Sequence, residues 1–151
     1  MENVRHFPAY ITKDVIKEIY QWGKENDIDV YRVSKYGKDT TKAFLNYYEE
    51  TVRGLIVKKN KEQYLKKCTE NIDQLSVSCY SNKGDIVDYY LGLTYKVYPE
   101  AILLRGTTNS KHGLSSKTKE RKPHKQDSHV DWWLYDKATP WDSFMEVKIN
   151  E

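Results

Sequence analysis

Seven residues constrain this chain most: His129, Val130, Asp131, Trp132, Trp133, Leu134 and Tyr135. Their alternation reads as a strand, because successive side chains of a strand point to opposite faces. Val130, Trp132 and Leu134 face a core on this reading, which leaves His129, Asp131, Trp133 and Tyr135 together on the other side. Residues 28–34, 75–80 and 101–105 read as further strands, and 144–149 as a fifth beyond the turn at Thr139, Pro140, Trp141 and Asp142.

Helical spacing fills the intervals. Thr12 caps a segment with Val15, Ile16, Ile19 and Tyr20 on one side, ending near Gly23. A turn at residues 37–40 caps a second helix carrying Phe44, Tyr47, Tyr48 and Thr51, with Gly54 at its end. Residues 58–67 form a basic, solvated helix or loop edge. Ser81 or Asn82 starts a helix bearing Ile86, Val87, Tyr90 and Leu91. Helices and strands mix without strict βαβ alternation, and the last strands follow one another directly. The fold class is therefore α+β: one domain over residues 1–151, a mixed or mainly antiparallel sheet, and helices on one face.

Composition narrows the class. With 13 tyrosines, 4 tryptophans and 31% charged residues in 151, the chain is a soluble domain with an aromatic core. No apolar run approaches a membrane span, so no membrane partner is expected. The N-terminus shows no apolar leader, and Cys68 and Cys79 read as reduced thiols, which implies the cytoplasm.

Charge is concentrated. Between Arg105 and His129 lie seven Lys/Arg against two acids, leaving 18 basic and 20 acidic residues elsewhere. The same stretch holds three of the four histidines. Residues 106–128 show no helical or strand period and are expected to form a long basic loop, rich in hydroxyls and glycine. Loops of such length are usually functional or disordered, and this mixture of groups holds phosphate. The expected ligand-binding residues here are Arg105, Lys111, His112, Lys119, Arg121 and His124, with Trp133 and Tyr135 on the following strand to stack on a base. His129 and Asp131, two residues apart on one face, can orient each other for proton transfer. The histidine spacing fits no zinc pattern, and neither a metal nor a cofactor is expected.

Tyr31 and Arg32 lie in an apolar strand, where an isolated guanidinium is costly without a partner or an anion. Together with Ser76, Val77 and Ser78 and the late Glu146, they resemble the residue order of ADP-ribosyltransferase-like folds. That resemblance implies that Arg32 holds an NAD pyrophosphate, Ser78 steadies the nicotinamide ribose and Glu146 activates the acceptor. Val77 stands where that family usually has threonine. Across most of its length the chain also resembles a set of small uncharacterised bacterial and phage proteins, through residues 30–33, 43–45, 75–78 and 129–135, and a phage or mobile-element accessory role follows from that. The leading expectation is binding of a nucleotide or nucleic acid. Alternatives are NAD chemistry, a histidine-dependent ribonuclease acting through His112, His124 and His129, or a module that meets an acidic protein surface.

Overall fold

β-branched and aromatic alternation produces one sheet. The computed structural model describes residues 6–87, 96–125 and 127–148. Six strands form that sheet: β1 (Asp29–Ser34), β2 (Val77–Tyr80), β3 (Ile102–Thr107), β4 (Gly113–Lys117), β5 (His129–Leu134) and β6 (Phe144–Val147). The order is β4-β5-β2-β1-β3-β6, and every neighbouring pair is antiparallel. The helices described are α1 (Lys13–Trp22), α2 (Tyr47–Val52), α3 (Lys61–Thr69), α4 (Lys83–Ile86) and α5 (Thr118–Arg121). The fold is a single α+β domain, as the pattern of elements implies.

The two faces of the sheet are covered differently. On one, Leu114 and Trp133 pack against Val15 and Ile19 of α1 and against Ile72 and Leu75 of a 3-10 turn. Farther along that face Val33, Tyr80 and Leu103 meet Ile86 of α4. On the other face Val30, Val77, Leu104, Val130 and Trp132 are capped by Ala43, Phe44 and Trp141, which belong to irregular segments and a 3-10 turn. The neighbouring Trp132 and Trp133 are both fully buried, one to each face. At 150–250 Å² of apolar surface apiece, each stabilises the fold by on the order of 4 kcal/mol.

Two expected segments fold otherwise. Residues 40–46 are not helical. Asn46 starts α2 instead: its side chain accepts from the Glu49 amide while Glu49 accepts from the Asn46 amide, a reciprocal cap that Thr40 cannot match. The basic loop also contains regular structure, with the end of β3, all of β4 and α5 inside it. Thr108, Ser115, Ser116, Thr118 and Ser128 within it are buried and hydrogen-bonded. Thr108 donates to the Asn26 carbonyl and accepts from the Ile28 amide, and Ser115 donates to the same carbonyl. Gly113 makes the β4–β5 approach possible, because a Cβ there would lie 2.2 Å from the Trp133 carbonyl oxygen. The positions proposed for Tyr90, Leu91 and Ile149 lie outside the described residues.

β1 and β2 pair only at Tyr31 and Tyr80. Beyond that point the Arg32 guanidinium bridges the parted segments, its Nε donating to Ala43 O at 2.9 Å and its Nη1 to Ser78 O at 2.7 Å. Backbone carbonyls thus partner this half-buried cation.

Candidate functional site

The register assembles a row that sequence spacing does not reveal. Met145, Arg105, Tyr31, Tyr80 and His129 stand opposite one another on β6, β3, β1, β2 and β5, all on the helix-bearing face. At the usual strand spacing the row spans about 19 Å. Arg105 is exposed, with its guanidinium 5.8 Å from the centre of the half-buried Tyr31 ring. His129 packs edge-on against Tyr80, with ring centres 5.0 Å apart. Met145, at the open end, is 67% exposed.

Beneath the histidine end lies a buried carboxylate. Asp131 accepts from Ser76 Oγ at 2.9 Å, from Thr118 Oγ1 at 2.8 Å and from Arg121 Nη2 at 2.7 Å. Arg121 also reaches Asp73 at 2.6 Å, and Lys122 reaches the other oxygen of Asp73 at 2.5 Å. Burial alone would raise the Asp73 carboxyl, but the Lys122 and Arg121 hydrogen bonds hold it below its ordinary range. α5 is docked on the sheet by these ion pairs, since its four residues are too few to hold by helix propensity.

Thr118 Oγ1 also lies 2.5 Å from His129 Nδ1. A hydroxyl carries one hydrogen, and Asp131, paired with Arg121, can only accept. The Thr118 hydrogen therefore goes to Asp131, and Nδ1–H of His129 donates to Thr118. That count leaves Nε2 as the nitrogen with a lone pair. Burial lowers the proton affinity of His129 and so do Lys125 and Arg121, while Asp131 opposes them. The ring is thus biased toward its neutral form.

Other expected site residues fall elsewhere. Trp133 is fully buried and donates from Nε1 to Ile72 O at 2.9 Å, and Tyr135 is buried against Phe7. Neither offers a stacking surface, because α1 and the 3-10 turn cover the face that was expected to be open. Arg121 is committed to two carboxylates, and Lys119 to Asp127. Lys111 and the buried His112 sit beyond the other end of β5, beside a cavity of about 360 Å³ that His6 and Lys137 also line. Gly113 pairs with Leu134, so His112 is roughly 17 Å or more along the strand from His129. His124 is exposed in the connector after α5. Hence the structure does not bring the three histidines to one point.

The Arg32, Ser78 and Glu146 set is not assembled either. Arg32 does meet Ser78, donating from Nη1 to its carbonyl at 2.7 Å, and the two line one cleft. The Ser78 side chain, however, sides with Asp131, while Glu146, aligned with Leu104, lies on the opposite face. Glu146 is also four strands from Asp131, about 19 Å, and its ion pair is with Lys38. The residues that sequence spacing misses are Tyr80, Ser76, Thr118 and Asp73. Ser76 carried a signal only as part of the Ser-Val-Ser motif and Thr118 only as a hydroxyl within the basic stretch, and the partner of Thr118 depends on a pairing between β4 and β5 that spacing does not fix.

No family model matches the chain, and no curated protein or solved structure matches it. Among the described residues no helix is long and apolar enough to cross a membrane.

Proposed function

We propose that the protein binds single-stranded nucleic acid across the row from Arg105 to His129. The observation that carries this is the register itself, which sets a cation, an aromatic ring and an imidazole side by side on an extended face. Exposed Arg105 and Lys125 supply charge for phosphates, and Tyr31 supplies a ring face for a base. Stacking of that kind is worth about 1–3 kcal/mol per base. An extended row about 14 Å long suits a strand better than a single nucleotide. A cytoplasmic setting fits the two buried free thiols, Cys68 and Cys79.

The test is affinity for a single-stranded oligonucleotide at two salt concentrations. Binding should fall steeply with salt, by close to one log–log unit per phosphate neutralised. Arg105→Ala should reduce that slope by about one unit, and Tyr31→Ala should weaken binding by roughly 5- to 100-fold. A shallow slope with tight mononucleotide binding would replace the strand with a small nucleotide. Absence of both, with capture of an acidic protein, would discard nucleic acid as the ligand.

A further inference from the structure

We propose that His129 is a proton-transfer residue and that the same surface cleaves RNA, taking the 2′-hydroxyl proton on Nε2. This inference rests on the nucleic-acid reading of the row. Three observations carry it. Proton counting through Asp131 and Thr118 assigns the hydrogen to Nδ1 and the lone pair to Nε2. Among the described residues, Nε2 makes no hydrogen bond, and the ring is only half-buried. The groups that face it from each surrounding element are Asp131 of β5, Arg121 of α5, Lys125 of the connector, Asp73 of the 3-10 turn and Tyr80 of β2. Their sum with burial favours the neutral imidazole that a base requires.

The reaction balances without an oxidant. The Nε2 lone pair takes the proton from a ribose 2′-hydroxyl as O2′ bonds to the adjacent phosphorus. The P–O5′ bond breaks, the departing O5′ takes a proton from water, and protonated His129 neutralises the hydroxide left behind. The products are a 2′,3′-cyclic phosphate and a 5′-hydroxyl. Charge developing on the phosphorus oxygens faces Lys125. Thr118 and Asp131 act as positioning residues: they fix the ring's tautomer and angle without touching substrate.

A short RNA and its 2′-deoxy counterpart test this on the full chain, with cleavage read by mass spectrometry and binding by fluorescence anisotropy. RNA should be cut to the cyclic phosphate while the deoxy strand is bound and left intact. His129→Gln should slow cleavage by about 100-fold or more, while affinity for the deoxy strand falls far less than that. Thr118→Val should slow it as well, and Thr118→Ser should restore it. Nitrogen NMR of the wild-type ring should show Nδ1 protonated, and an Nε2–H tautomer would overturn the assignment without any variant. Deoxy strand bound but RNA intact would sink the cleavage proposal and leave the binding reading standing. If neither strand binds, both fall.

Discussion

Arg121 shows how a residue's role depends on what it meets. In the sequence it is one of seven basic residues in a polar stretch. In the fold its side chain is 9% exposed, with Asp131 on one side, Asp73 on the other and its Nε without a partner among the described residues. Removing one member of such a buried pair leaves an uncompensated charge. Arg121→Ala is therefore expected to destabilise by about 3–5 kcal/mol in urea unfolding, whereas the exposed Arg105→Ala should change stability little. Trp133 argues in the same direction. Trp133→Ala should lose about 3–5 kcal/mol through the cavity it leaves, while a tryptophan that stacked on a ligand would lose affinity and keep stability. His129 and Asp131 were legible as a pair because alternation puts them on one face. The Thr118 hydroxyl between them was not, since the hydrogen bond joins residues eleven apart.

At the scale of elements, strands with strong β-branched or aromatic alternation were legible and those built of small polar residues were not. β1, β2, β3, β5 and β6 fall within a residue or two of their expected spans. β4 reads Gly, Leu, Ser, Ser, Lys, which carries no hydrophobic period, and its pairing with β5 decides it. The split between β1 and β2 has the same character: no local pattern signals that Arg32 stands in for ladder hydrogen bonds there. Arg32→Met keeps the apolar stem and removes both donors, so it should cost about 1.5–3 kcal/mol per bond lost. Hydrogen exchange should locate the damage at β2 and residues 43–45; protection unchanged there would show that the guanidinium does not hold the split together. At the other edge, Gly106 is tied to β6, because a Cβ would meet the Ser143 carbonyl oxygen at 2.3 Å and the Phe144 ring at 2.5 Å. Gly106→Ala is expected to detach β6 and expose Phe144, read as new binding of a hydrophobic dye.

For the whole molecule, the titrating groups set a pH profile with two windows. The folded state holds His129 below its ordinary 6.5, so it binds fewer protons there than the unfolded chain. Its stabilising effect is complete above that value and is lost as pH falls through the folded one. Asp73, held below 3.8, contributes fully above that value and is lost only in stronger acid. Unfolding free energies measured by urea from pH 8 to 3 should decline first below about 6.5 and again below about 4. His129→Gln should flatten the first decline alone. The ligand surface is the central claim, and amide chemical-shift mapping with a single-stranded oligonucleotide tests it most directly. Perturbations should concentrate at Tyr31, Tyr80, Arg105, Lys125 and His129, and leave the Lys111–His112 end of the sheet unmoved. Shifts gathered around Lys111, His112 and Lys137 instead, or none at all, would contradict it.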